Sequence, residues 1–88
     1  AHGSTLSAQG GVLDRYIEHR LWREERVARA LAQAGRASAQ DLVARVYDDV
    51  TPTAWRFAEL SLGAHLIKLV GDGRARAVGD GVFEHRAT

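Results

Sequence analysis

The sequence predicts a mainly α-helical domain with a small β-hairpin, an α+β arrangement of the winged helix-turn-helix kind with a long N-terminal helix. Three observations carry this expectation. Apolar residues recur at three- and four-residue steps across residues 11–70, the period of amphipathic helices. The period then changes to short alternating runs on either side of Gly79-Asp80-Gly81, a hairpin signal. The whole chain has only 88 residues, which leaves room for one small domain.

Each element has its own local reason. Residues 1–10, AHGSTLSAQG, are small and polar and read as a loop or incoming linker. From Gly11 to Ala34, Val12, Leu13, Tyr16, Ile17, Leu21, Val27, Ala28 and Leu31 keep helical spacing, with Glu25 and Arg29 as an i,i+4 pair in the favoured order. Gly35 supplies a left-handed cap. Ser38 then offers an N-cap, with Asp41 three residues on as an imperfect capping box, and Leu42, Val43 and Val46 mark a short second helix. Asp48-Asp49-Val50 reads as a turn, and Thr51-Pro52 as the start of a third helix. Trp55, Ala58, Leu62, His65, Leu66 and Leu69 form one face of that helix, which ends near Val70. Leu60, Ile67 and Val70 add apolar surface on another side, so the expectation is a mostly buried helix. Gly71-Asp72-Gly73 turns the chain into the hairpin, with strands from Arg74 to Val78 and from Val82 to Arg86.

Composition limits function. Fifteen of the apolar residues are Ala, so the core rests on nine Leu, eight Val, two Ile and six aromatics. Cysteine is absent, which removes disulfides and thiolate metal sites. Methionine is absent even at position 1, which suggests processing or a piece of a longer chain. Twelve basic residues, eleven of them Arg, face eleven acidic ones with no basic block. That balance argues against a strong phosphate-driven grip on nucleic acid. No stretch approaches a bilayer span and no signal peptide is visible, so a cytoplasmic location is expected.

Candidate chemistry is sparse. His2, His19, His65 and His85 lack metal-ligand spacing. His65 reads as a packed, hydrogen-bonded histidine and His85 as a surface residue. The two Gly-Asp-Gly triplets read as turns, because neither continues as a phosphate loop or a calcium loop. No nucleophile elbow is present, so an autonomous active site is not expected. The dense run from Tyr16 to Glu24 places Tyr16, Arg20 and Arg23 on one face, and His19, Trp22 and Arg23 on another. Solvation is the default for such a face, although Tyr, Trp and Arg also suit a docking surface. For DNA readout the third helix offers Thr53, Arg56, Glu59, Ser61 and Lys68, with neither Asn nor Gln, and Glu59 would oppose phosphates. Arg74 and Arg76 on the hairpin suit that role better.

Several segments together carry a family resemblance: Tyr16-Ile17-x-His19-Arg20-x-x-Arg23-Glu24, Asp41-Leu42-Val43-x-x-Val46-Tyr47, Ala64-His65-Leu66-x-Lys68-Leu69 and Gly73-Arg74. In this order and at these distances they resemble the C-terminal winged-helix domain of metallo-β-lactamase-fold hydrolases of the lactamase-beta-2-like type, from Ala1 to about Ala77. The resemblance implies a metal-dependent hydrolase domain upstream, with zinc in the parent protein and none held by this chain alone. It divides the chain into residues 1–10, a linker and metal-loop remnant, and residues 11–88, the winged-helix domain.

Ala1-His2-Gly3 matches the family's last metal-ligand loop, so His2 would be a zinc ligand in the full-length protein only; Ala1 and Ser4 depart from the usual Gly and Pro. By the same resemblance, Tyr16, His19, Arg20, Arg23 and Glu24 would dock on the upstream domain, while Arg74 and Arg76 would lie along substrate phosphates. Partners would be that hydrolase domain and, through the parent, RNA or a thioester or other ester substrate, with no membrane. The leading expectation is an accessory domain that packs on the catalytic domain, shapes the substrate groove and is inert alone. The alternative is a winged-helix module that binds nucleic acid or a protein partner.

Overall fold

The computed structural model describes residues 2–86, with side chains described from Gly11 onward. Its elements run α1 (His2–Ala34), β1 (Arg36–Ser38), α2 (Ala39–Val46), a 3-10 turn (Pro52–Ala54), α3 (Trp55–Gly71), β2 (Ala75–Gly79) and β3 (Val82–His85). Three antiparallel strands form one sheet in the order β1-β3-β2, completing the winged-helix arrangement. The loop expected over residues 1–10 is helical from His2 on, so α1 continues without a break for 33 residues. At 1.5 Å per residue such a helix is roughly 50 Å long, which accounts for the 51 Å long axis of the molecule.

The caps follow from residue chemistry. Gly35 closes α1 at φ 77°, where its N–H donates to the Leu31 carbonyl at 2.7 Å. Ser38 and Asp41 form a full reciprocal capping box at the start of α2. Thr51 opens the 3-10 turn and not α3 itself, and its side chain makes no capping bond. At the end of α3, Gly73 takes φ 76° and donates to Val70, while the Arg74 N–H reaches the Leu69 carbonyl at 2.8 Å. This pair of bonds is a Schellman closure, and it aims the chain straight into β2.

The core lies where the second half of α1 meets α2 and α3. Leu31, Leu42, Leu62, Leu66, Leu69, Val27 and Val46 are its largest fully buried side chains. Phe83 seals the sheet side: it stands opposite Ala37 of β1 and Ala77 of β2, two small residues that leave it room. β1 was not expected from the sequence. Three residues are too few to show a period, and β1 exists because the exposed edge of β3 needs a partner for its backbone groups. The hairpin turns on Asp80 and Gly81, both at positive φ, with a bulge between Ala77 and Gly79.

The reading of α3 needs one correction. Its inward face is as expected, but of the second apolar face Leu60 and Ile67 are 74 and 67% exposed and Val70 36%, and Phe57, not one of that expected face, is 76% exposed beside them. The helix is half buried, and these apolar side chains on its outward side are not covered by any described residue. Among the described residues no helix is long and apolar enough to cross a membrane.

Candidate functional site

The stripe of α1 that faces the core in its second half is Glu24, Val27, Ala28 and Leu31, all buried. Continued backwards at helical spacing, the same stripe is Leu13, Tyr16, Ile17 and Arg20, all exposed. Leu13, Tyr16 and Ile17 are 58, 64 and 50% exposed, because the first half of α1 runs past the end of the core.

The five residues expected to form a docking face therefore divide. Tyr16, His19 and Arg20 are exposed. His19 stacks on Trp22 with ring centroids 5.4 Å apart, and the Arg23 and Arg26 guanidinium groups lie over the same indole at 5.0 and 5.1 Å. Arg23 and Glu24, in contrast, are buried within the domain at 6 and 5% exposure and are not part of an exposed face. Arg23 donates to both carboxylate oxygens of Asp49 and to the Val46 carbonyl, and its guanidinium rises further above the usual range through that Asp49 hydrogen bond. The physical reason is stoichiometric: α1 meets α2 at this turn, and the carbonyl end of α2 needs donors.

Glu24 sits between α1 and α3. Its Oε1 lies 3.4 Å from His65 Nδ1, and its Oε2 accepts from Lys68 Nζ at 3.2 Å. Lys68 also donates to Asp72 at 2.8 Å, and these two carboxylates hold its ammonium above its ordinary value, the Asp72 bond first. His65 is thus the packed, hydrogen-bonded residue expected. That Glu24 is its partner was not legible, because the two lie forty-one positions apart.

Between the overhanging part of α1 and α3 runs a groove of about 300 Å³, lined by Tyr16, Arg20, Ser61, Ala64, His65 and Lys68. The Tyr47 hydroxyl donates at 3.1 Å to the Oγ of Ser61, one of these lining residues.

On the hairpin, Arg74 and Arg76 are both engaged by carboxylates. Arg74 makes a two-pronged pair with Glu25, at 2.7 and 3.2 Å. This pair replaces the Glu25–Arg29 bond expected along α1. Arg76 and Arg36 both bind Glu84 from the flanking strands, which holds that carboxyl below its usual range, Arg36 contributing first. A phosphate reaching either hairpin arginine must compete with a carboxylate already in place.

The side chain of His2 lies outside the described residues. Among the described residues no three His, Cys, Asp or Glu side chains converge on a point. The donor set described here does not fit a zinc ion, which needs about three protein ligands.

A three-stranded wing behind a helical core, an α1 that overhangs it and the Glu24–His65–Lys68 cluster are the features to set against known proteins. The family model described as "Beta-lactamase associated winged helix domain" matches residues 38–84, a little over half of the chain. The chain belongs to this family. Over 77 residues, 85% of its length, the winged-helix domain is also 30% identical to the Beta-lactamase-like protein 2 homolog of Drosophila melanogaster. That match takes in only 26% of the relative, so the winged-helix domain spans about a quarter of the relative's length. No solved structure matches it. The resemblance read from the Tyr16–Glu24 and Ala64–Leu69 motifs is thereby established at the level of the family.

Proposed function

We propose that this winged-helix domain is an accessory module of a metal-dependent, cytoplasmic hydrolase, packed against the β-lactamase-like part and forming one wall of its substrate groove. The observation that carries this reading is the uncovered half of the α1 stripe. Leu13, Tyr16 and Ile17 continue a core face past the end of the core, and such a patch of apolar surface calls for a partner. Phe57, Leu60 and Ile67 on α3 add a second patch. A relative whose length is three-quarters outside the match supplies a body of the right kind to cover them. In this reading zinc is held in the β-lactamase-like part, with His2 as the one ligand from this chain. The substrate class, RNA or a thioester or other ester, is set by that part.

The outward face of α3 also weighs against the alternative of base readout. In the winged-helix arrangement the third helix reads bases, and here its exposed side chains mix Arg56, Ser61 and Lys68 with the apolar Phe57, Leu60 and Ile67, and none is the Asn or Gln that reads adenine.

Hydroxyl-radical footprinting of the protein that carries both parts, beside the 88-residue chain, tests the packing. Leu13, Tyr16, Ile17 and Phe57 are expected to be protected in the longer protein. Equal labelling in the two would reject the packing. His2→Ala in the longer protein is expected to lower its bound zinc, and unchanged metal content removes His2 from the ligand set.

A further inference from the structure

The groove between α1 and α3 presents mainly donors, beside His65, whose Nδ1 is turned to Glu24. Arg20 makes no ion pair or hydrogen bond among the described residues, so all five of its N–H groups are free. Lys68 uses two of its three protons on Glu24 and Asp72 and keeps one. Ser61 accepts from Tyr47 and therefore retains its own hydroxyl proton. The Tyr16 hydroxyl makes no hydrogen bond among the described residues. No carboxylate lines the groove, since Glu24 and Asp72 engage Lys68 from outside its lining.

Such a set complements a ligand that only accepts. The donors come from two helices and surround a concavity, which suits the splayed oxygens of a tetrahedral oxyanion better than the flat edge of a carboxylate. The nearby charges also set its valence. Arg20 and Lys68 are offset by Glu24 and Asp72, so a ligand of low charge is favoured over a polyanion.

From this arrangement we infer that the Tyr16–Arg20–Ser61–Lys68 groove is a binding site for a single phosphate group, carried by a monoester, a diester or the free ion. The site is complete within this chain, so it goes beyond the docking role and is tested apart from it.

The test is a nuclear magnetic resonance titration of the ¹⁵N-labelled 88-residue chain at low salt with inorganic phosphate, dimethyl phosphate and acetate. Phosphate or dimethyl phosphate is expected to shift the backbone amides around Arg20, Ser61 and Lys68, with acetate at least several-fold weaker. Shifts with inorganic phosphate alone assign the free ion or a monoester; shifts with dimethyl phosphate assign a diester. Arg20→Gln is expected to weaken binding roughly tenfold, the scale of one lost charge-assisted hydrogen bond. Arg15→Gln, on the side of α1 lined by Glu18, His19 and Trp22, is expected to leave it unchanged. Tyr16→Phe, which removes one hydroxyl and no packing, gives a second variant with a smaller loss. Equal shifts in the native chain and Arg20→Gln would overturn the assignment. So would acetate binding as well as phosphate, or shifts confined to the wing around Arg36 and Arg76. A negative result leaves the docking of Leu13, Ile17 and Phe57 untouched, because footprinting reads that separately.

Discussion

Arg23 and Asp49 face each other through two parallel hydrogen bonds, of 2.8 Å to Oδ1 and 3.0 Å to Oδ2, and tie the turn after α2 to the middle of α1. The same guanidinium donates to the Val46 carbonyl at 2.8 Å and lies 4.4 Å from the Tyr47 ring. One side chain thus satisfies a helix end, pairs a carboxylate and covers an aromatic face. Lysine keeps the charge but cannot reproduce the fork. Arg23→Lys is expected to cost about 1–2 kcal/mol of stability, measured by urea denaturation. An unchanged midpoint would show that geometry at this site contributes nothing.

The same pair sets an acid limit. The hydrogen bond from Arg23 holds the Asp49 carboxyl at about 2, below its ordinary 3.8. Arg74 lowers Glu25, and Arg36 and Arg76 lower Glu84. When the folded value lies below the unfolded one, the unfolded chain takes up the proton first. The stabilisation from Asp49 is therefore complete above its unfolded value of 3.8 and is lost as pH falls towards 2. Denaturation midpoints should be flat near neutrality and decline steeply between about pH 4 and pH 2. Asp49→Asn should make that decline shallower, and a slope identical to the native chain would remove Asp49 from the account.

Burial separates two kinds of leucine on α3. Leu66 is fully buried, so Leu66→Ala opens a cavity and is expected to cost ~2–5 kcal/mol. Leu60 is 74% exposed and Leu60→Ser should stay within ~0.5 kcal/mol in the 88-residue chain. Thermal unfolding of the two variants side by side is sufficient. A large loss for Leu60→Ser would mean that its face is covered within this chain.

Glu84 restrains the arginines of the wing. Glu84→Gln keeps the shape of the side chain and removes its charge, releasing Arg36 and Arg76 together. The variant is expected to bind heparin more strongly than the native chain, with a steeper dependence on salt. Equal elution on a salt gradient would show that the carboxylate does not mask these cations.

Much of this architecture was legible because its causes are local. Gly35, the Ser38–Asp41 box and Asp80-Gly81 each fix the backbone within four residues, so caps and the hairpin turn could be placed from sequence. The inward stripe of α3 followed from its period. What escaped depends on distant partners. β1 has only Arg36, Ala37 and Ser38, and its strand state comes from β3, more than forty positions away. Arg23 and Glu24 looked like members of an exposed charged run, and only the approach of Asp49 and His65 turns them inward. Leu60 and Ile67 looked buried because an apolar stripe does not state which body covers it. Of the candidate site, Tyr16 and Arg20 were named in advance; Ser61 and Lys68 join them only when α3 is laid alongside α1.

The unbroken course of α1 has a rotational consequence. A helix advances about 100° per residue, so its exposed first half is held in fixed phase with its buried second half. Whatever grips Leu13 and Ile17 dictates the azimuth of the wing. One residue inserted near Leu21 would swing the wing by about 100° around the helix axis while leaving every contact within the core intact, whereas seven residues would nearly restore its bearing one rod-length of ~10 Å farther out.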